Sequence, residues 1–116
     1  MTLEPAYEEA ELIATEGELS PEQAEWIDAF YRNVQTRMLN LYDGARLGAW
    51  RIYEREKVAT YWKEQFDWFN GQLEFTLRTK AKLDAIPFAI PPALSDAIQT
   101  LTDIVEACRG AYEFHS

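Results

Sequence analysis

Very few side chains in this sequence have the chemistry of a catalytic nucleophile or base. The chain of 116 residues contains one cysteine, Cys108, and one histidine, His115, which is the penultimate residue. Nucleophilic catalysis requires a base held beside the nucleophile, and the end of a chain is usually frayed. Cys108 lies on the apolar stripe of the last predicted helix, which favours a small buried hydrophobic residue over a nucleophile. We therefore expect no catalytic residue and no enzymatic activity.

A second pattern near the C-terminus places five residues between an Arg and a His, in the segment RGAYEFH that runs from Arg109 to His115. This spacing resembles the catalytic motif of the HEPN ribonucleases, which are small all-helical domains that usually act as dimers. The resemblance implies that Arg109 steadies the phosphate and that His115 serves in acid and base steps. It covers seven residues, and Gly110 stands where a polar residue usually follows the Arg. Because an acidic surface would also repel RNA, we favour an exposed Arg and His over a ribonuclease site.

Metal and phosphate sites are also disfavoured by the residue types present. A two-metal carboxylate site in a helical bundle needs a Glu-x-x-His pair from each of two helices, and the chain has one His. Carboxylates do occur at helical i, i+3 spacing, as at Glu8 and Glu11, but such pairs usually form a solvated helix face. Gly44 and Gly48 lie within a helical pattern, which favours close packing of two helices over a phosphate loop. We predict neither a metal nor a cofactor.

The acidic residues are unevenly distributed along the chain, which has a net charge of −9. Residues 1–31 hold nine acids and no Lys or Arg, whereas residues 32–116 hold eleven acids and eleven bases. The nine acids are Glu4, Glu8, Glu9, Glu11, Glu16, Glu18, Glu22, Glu25 and Asp28. A block of this kind is typical of a solvated face or an interaction surface, and we predict that these nine residues bind a partner.

Carboxylates on two successive helices can cover one surface with negative charge, at a spacing comparable to that of a phosphate backbone. Such a surface attracts a basic groove and holds it through Arg-carboxylate pairs. The first hypothesis is therefore a non-enzymatic acidic inhibitor or adaptor that docks on a basic, nucleic-acid-binding protein. Phage anti-restriction and anti-CRISPR DNA mimics do this, and the analogy is one of charge and size. Direct binding to nucleic acid is not expected, because the charge has the wrong sign.

Two alternatives remain beside this hypothesis. The first is a self-associating helical scaffold or assembly protein, which would form a homodimer through a heptad seam while the acids keep it in solution. The second is the HEPN-like ribonuclease. The oligomeric state separates these alternatives from the first hypothesis, since a strict monomer weakens both.

The elements that must position these residues are helices. Gly17 stands where a first helix would stop, and Ser20 to Gln23 has the residues of a capping box at the start of the next one. We predict an all-α fold in which residues 1–116 form one domain, a compact bundle of about four to five helices. Its parts are an acidic N-terminal helix at 1–19, a heptad-patterned helical region at 20–86, a connection marked by Pro87, Pro91 and Pro92, and a C-terminal helix at 92–113.

The heptad region allows two architectures. Its apolar residues keep one phase from residue 27 to residue 73, past Asp-Gly and Asn-Gly dipeptides at 44 and 71 that look like helix stops. An unbroken helix over 21–85 would be about 97 Å long and would require an elongated dimer. A helix broken near 44 and/or 71 fits a compact bundle, and we favour it because the aromatic residues need several helices to bury them.

Aromatic side chains are concentrated in the second half of the heptad region. The set consists of Trp50, Tyr53, Tyr61, Trp62, Phe66, Trp68, Phe69 and Phe75. With Lys57 and Lys63 nearby they could stack on bases, but neighbouring acids cancel that charge and favour a core or a protein interface. Not all eight rings can fit into one small core, so some are expected to face a partner.

The composition of the chain disfavours membrane insertion and secretion. No apolar run approaches the roughly 20 residues needed to cross a bilayer, and the N-terminal residues are acidic rather than basic. The single cysteine cannot form an internal disulfide. We expect a cytoplasmic protein that does not enter a membrane.

Overall fold

Four α-helices make up the part of the chain that this structure, a computed structural model, describes: residues 4–86 and 92–116. They are α1 (Glu4–Thr15), α2 (Pro21–Ala49), α3 (Arg55–Asp84) and α4 (Pro92–His115), and these residues contain no β-strand. The molecule measures 51 × 22 × 20 Å. The prediction of an all-α bundle of about four to five helices is confirmed. None of these four helices is both long enough and apolar enough to cross a membrane.

The boundary between α1 and α2 follows from local chemistry, as predicted. Gly17 has a φ of +82°, a left-handed conformation that glycine tolerates and that ends α1. The backbone N–H of Gln23 donates to Ser20 Oγ at 3.2 Å, and the Ser20 N–H donates to Gln23 Oε1 at 3.0 Å. This reciprocal pair is a capping box, and Pro21 takes the first helical position.

The predicted break near residues 44 and/or 71 is wrong, because the chain reverses at residues 50–54 instead. Gly44 lies inside α2 and Gly71 inside α3, where a glycine costs only about 1 kcal/mol relative to alanine. The packing of a long apolar face outweighs a cost of that size. The turn itself contains no proline or glycine, and the Glu54 side chain makes no capping hydrogen bond to α3. No local signal in the sequence marks this turn.

The turn preserves the heptad phase, which explains why the pattern resembles one long helix. One row supplies buried side chains to both helices: Ile27 and Val34 in α2, and Trp62, Phe69, Thr76 and Leu83 in α3. The two halves of the pattern therefore face one core within the same molecule. An elongated coiled-coil dimer is not needed to bury them.

α4 completes the core by packing against both α2 and α3. The Asp28 and Gln35 side chains of α2 bond to Ala93 and Thr100 of α4 in the same order along the two helices, so α2 and α4 are parallel. The start of α3 lies beside the end of α4, so α3 runs antiparallel to both. The buried stripe of α4 consists of Ala93, Leu94, Ala97, Leu101, Ile104, Val105 and Cys108.

α4 begins at Pro92 and ends at His115, close to the predicted helix at 92–113. A proline suits the first turn of a helix, because an N–H at that position has no partner within the helix. The prediction that Pro87 and Pro91 mark a connection falls outside the described residues. Pro92, which was predicted to belong to the same connection, is instead the first residue of α4.

Gly48 bears out the expectation of close helix packing near the end of α2. A Cβ atom at this position would lie 2.8 Å from the hydroxyl oxygen of Tyr61 on α3. That hydroxyl donates to the carbonyl oxygen of Ala45 at 2.8 Å, which holds the ring over the glycine. Gly44, one turn earlier, has open space around it. Only one of the two glycines is therefore required for the packing of α3 on α2.

Candidate partner-binding surfaces

An aromatic cluster holds α1 on the bundle. The Tyr7 ring centroid lies 5.4 Å from those of Phe30 in α2 and Phe75 in α3, and 6.4 Å from that of Tyr31. The Tyr7 side chain is fully buried. Because the aromatic face of α1 points into the core, the opposite face of the helix points to solvent and can carry charge.

The hydroxyl groups of Tyr7 and Tyr31 are buried without a hydrogen-bond partner among the described residues. The hydroxyls of Thr76 and Thr79, which lie near them, donate instead to backbone carbonyl oxygens one turn earlier in α3. Burial raises the pKa of Tyr7 to about 12 and also raises the pKa of Tyr31. Both tyrosines are therefore neutral at physiological pH and serve as core residues.

Six of the nine predicted partner-binding carboxylates are exposed on α1, on the connection that follows it, or at the start of α2. They are Glu8 and Glu9 on α1, Glu16 and Glu18 in the connection, and Glu22 and Glu25 at the start of α2. We call these six side chains, together with Leu12, the acidic surface. Glu16 also accepts a hydrogen bond from the Gln23 amide at 2.8 Å, which ties α1 to α2. Glu4 is the first residue of α1, and its side chain lies outside what the structure describes.

Glu11 faces the bundle rather than a partner. Its Oε1 lies 3.0 Å from Arg78 Nε and its Oε2 lies 3.7 Å from Lys82 Nζ, both on α3. The Glu11 side chain is 21% exposed and that of Arg78 is 56% exposed, so the pair is shielded from water on the Glu11 side only. Glu11 therefore helps to hold α1 on α3.

Asp28 also has partners within the chain. Its Oδ2 accepts from Arg32 Nε at 2.7 Å, and its Oδ1 accepts from the backbone N–H of Ala93 at 3.3 Å. The Arg32 hydrogen bond lowers the pKa of Asp28. A carboxylate at the first turn of a helix satisfies an N–H that lacks an intrahelical partner, so Asp28 fixes the start of α4.

Leu12 belongs to the acidic surface, although it was not among the residues predicted to bind a partner. Its side chain is 65% exposed, and Glu8, Glu9 and Glu16 are its neighbours at three and four residues along the chain. A single exposed leucine is common, but this one is bordered by three carboxylates. Its position could have been found from the sequence, because it lies about 140° around the helix from the buried Tyr7.

The other end of the bundle carries exposed aromatic side chains. Trp50 and Tyr53, in the turn between α2 and α3, are 82% and 96% exposed, and Phe114 near the end of α4 is 77% exposed. The Phe114 ring packs edge-on against His115, with the centroids 5.0 Å apart. We call these three rings and the cleft beside Trp50 the aromatic end. Large exposed rings of this kind are typical of interface hot spots.

The cleft at the aromatic end has a volume of about 420 Å³ and is open to solvent. Its apolar lining includes Ile52, Val58 and Trp62. Arg46 and His115 contribute the polar part of the lining, with the Arg46 guanidinium 6.0 Å from the centre of the Tyr42 ring. An open cleft that has both apolar and cationic lining residues suits an apolar side chain of a partner that also carries negative charge.

The eight aromatic residues of the predicted set divide between the core and the surface. Trp62 and Phe69 are buried; Tyr61, Phe66 and Phe75 are half-buried; and Trp50, Tyr53 and Trp68 are exposed. The expectation that one small core cannot hold all eight is confirmed. Their spacing alone did not distinguish the buried rings from the exposed ones, because the turn at 50–54 has no local signal.

The reactive residues are not brought together within the described part of the chain. Cys108 is fully buried, and burial raises the pKa of its thiol to about 11, so the reactive thiolate is scarce at neutral pH. Arg109 forms an ion pair with Glu106, whereas His115 lines the cleft about 9 Å further along α4. No three His, Cys, Asp or Glu side chains among residues 4–86 and 92–116 are grouped as a metal site requires.

Comparison with known proteins assigns this chain to no family. No family model, curated protein or solved structure matches it. The acidic surface and the aromatic end are therefore the basis on which its function is proposed.

Proposed function

We propose that this chain is a non-enzymatic protein-binding protein, an acidic inhibitor or adaptor that docks on a basic, nucleic-acid-binding surface of another protein. The observation that supports this proposal is the acidic surface. It places six exposed carboxylates on two successive helices and the connection between them, in a stretch of 31 residues without a Lys or Arg. Phage anti-restriction and anti-CRISPR proteins that mimic DNA provide an analogy of charge and size.

Two kinds of contact suit this surface to a basic groove. Attraction between the carboxylates and a cationic site accelerates the encounter, and Arg-carboxylate pairs hold the complex after contact. Exposed ion pairs contribute only about 0 to 1 kcal/mol each, so the apolar contact offered by Leu12 adds to affinity. Since Tyr7 and Glu11 anchor α1, its carboxylates are held in place before binding, which lowers the entropic cost of association.

The alternative of a scaffold that self-associates through its heptad seam has less support. Seam residues such as Met38 and Phe69 are buried in the core of their own chain. A coiled-coil partner could reach them only if the bundle opened. Self-association would therefore have to use a different surface.

The experiment that tests the proposal is capture of a nucleic-acid-binding protein by the immobilised chain from a lysate of the source cells. We expect a basic protein to bind at about 0.1 M salt and to be released at about 1 M, because the screening length falls from about 10 Å to about 3 Å. Duplex DNA should displace the chain, since both would occupy the same cationic site. Capture that is insensitive to salt and to DNA contradicts the proposal.

A matched pair of variants locates the contact. E8Q/E9Q/E16Q removes three charges from the acidic surface with little change in shape, and E56Q/E64Q/E113Q removes three exposed charges from α3 and α4. We expect the first variant to weaken capture about ten-fold or more and the second to leave it nearly unchanged. Equal losses in the two variants would mean that only net charge matters.

A further inference from the structure

The aromatic end has the composition of a protein contact, and the proposed function does not use it. Trp50, Tyr53 and Phe114 each expose more than three quarters of their surface. Covering apolar area of this kind is favourable by about 25 cal/mol per Å². Arg51 and Arg55 are exposed in and directly after the same turn, and Arg, Trp and Tyr are the residues most enriched in interface hot spots.

The charges near the cleft favour an occupant that carries carboxylates. Arg46 lines the cleft, and its ion pair with Asp43 is long, at 3.9 Å, and exposed, so it is weak. Arg51 has no side-chain partner among residues 4–86 and 92–116. Glu54, the carboxylate in the turn itself, is paired with Lys57 at 3.0 Å. Arg55 donates to the carbonyl oxygen of Ser116 at 3.4 Å, whereas the guanidinium groups of Arg46 and Arg51 are available to negative charge on another molecule.

The acidic surface of a second copy has the complementary features. Leu12 is an exposed aliphatic side chain, bordered by the carboxylates of Glu8, Glu9 and Glu16 at helical spacing. The cleft has complementary features, because apolar residues and one arginine, Arg46, line it. Arg51 is exposed in the adjoining turn. An aliphatic side chain can enter the cleft while its flanking carboxylates meet the arginines.

We propose that the aromatic end of one copy docks on the acidic surface of a second copy, with Leu12 in the cleft. The two surfaces cannot meet within one chain, because α1 contacts Arg78 whereas the cleft contains Val58, about 30 Å away along α3. Because the two contacting surfaces differ, a pair of copies still has one unoccupied aromatic end and one unoccupied acidic surface. The association is therefore head-to-tail and continues beyond a dimer unless a ring closes.

This association goes beyond the proposed function, although both use the acidic surface. A basic partner and a second copy compete for the same carboxylates. The self-association is a property of the pure protein, so it is measured without any partner.

The first test is the mass of the purified full-length chain by analytical ultracentrifugation over a wide concentration range. We expect the average mass at about 0.1 M salt to rise past that of a dimer as concentration increases, and to fall towards that of a monomer at about 1 M salt. A chain that stays monomeric at all concentrations, or that stops at a salt-resistant dimer, overturns the proposal.

The second test uses variants at each surface. W50A/Y53A and R51Q/R55Q alter the aromatic end, and E8Q/E9Q/E16Q alters the acidic surface; all these side chains are exposed, so the fold should be retained. Each variant should weaken self-association about ten-fold or more, and W68A, which removes an exposed ring elsewhere on α3, should not. Thermal unfolding followed by circular dichroism checks that each variant is folded. Unchanged association in W50A/Y53A overturns the proposal.

A third test mixes two variants that do not self-associate, and it examines the head-to-tail arrangement directly. The E8Q/E9Q/E16Q chain keeps its aromatic end, and the W50A/Y53A chain keeps its acidic surface, so the mixture can form one interface and no more. We expect a one-to-one dimer that does not grow. A mixture that remains monomeric while the wild type associates overturns the head-to-tail arrangement.

The R51Q/R55Q variant separates this inference from the proposed function. It retains the acidic surface, so it should capture a basic partner normally while failing to self-associate. A monomeric wild type that still captures a basic partner overturns the head-to-tail contact alone. Self-association without capture overturns the proposed function alone.

Discussion

The two ends of this bundle differ in whether their aromatic side chains are buried or exposed. At the N-terminal end, Tyr7 of α1 packs on Phe30 of α2, and the solvent face of α1 carries carboxylates. At the other end, Trp50 and Tyr53 face solvent, while Trp62, on the next helix, is buried. Hydrophobic character alone therefore does not determine burial. A ring is buried where a neighbouring helix covers it, and the uncovered rings are the ones available to bind.

The largest expected effect is the contrast between two tryptophans near the aromatic end. Trp62 is 6% exposed, so Trp62→Ala should lower the free energy of unfolding by about 3 to 5 kcal/mol through lost apolar burial and a residual cavity. Trp50→Ala should change it by less than about 0.5 kcal/mol, because the ring is already in water. Urea unfolding followed by far-UV circular dichroism measures both. Comparable losses in the two variants would mean that Trp50 also supports the fold.

At the N-terminal end, the buried Tyr7 predicts alkaline destabilisation. At pH values below about 10, the usual pKa of tyrosine, this side chain is neutral in both the folded and the unfolded chain. Burial raises the folded pKa to about 12, so between these values the unfolded chain releases a proton that the folded chain keeps. The free energy of unfolding should therefore fall by about 1.4 kcal/mol per pH unit from this group as pH rises through that window.

Tyr7→Phe isolates the contribution of that hydroxyl. The variant should lose less stability than the wild type between pH 10 and pH 12, by about 2 to 3 kcal/mol. At pH 7 it should be as stable as the wild type or slightly more so, since the buried hydroxyl has no hydrogen-bond partner among the described residues. If the free energies of unfolding of the two proteins change in parallel from pH 10 to pH 12, Tyr7 does not titrate in that range.

The smallest expected effect distinguishes two carboxylates on the same helix. Glu11→Gln removes the charge that pairs with Arg78 and Lys82, and it should cost about 1 kcal/mol and increase amide hydrogen exchange across α1. Glu8→Gln should leave both unchanged, because Glu8 faces solvent. Hydrogen exchange read by mass spectrometry compares the two. Equal exchange in the two variants would remove the anchoring role of Glu11.

The features that could be predicted from the sequence depend on contacts between near neighbours along the chain. Ser20, Gln23 and Gly17 act within a few residues of one another, so the end of α1 and the start of α2 could be predicted. The all-α class followed from apolar spacing, which depends only on helical geometry. The acidic bias of residues 1–31 was likewise visible without a structure. Its role in binding stays a prediction.

Only the tertiary structure decided which of these features face each other. Glu11 resembles Glu8 in the sequence, but it meets an arginine 67 residues away, and no local pattern encodes that contact. The turn at 50–54 exists because α3 folds back to share a core with α2 and α4, so its position depends on packing rather than on a stop signal. That same turn exposed Trp50 and buried Trp62. Local rules determine where helices can form, and the free energy of packing them together determines which side chains remain in water.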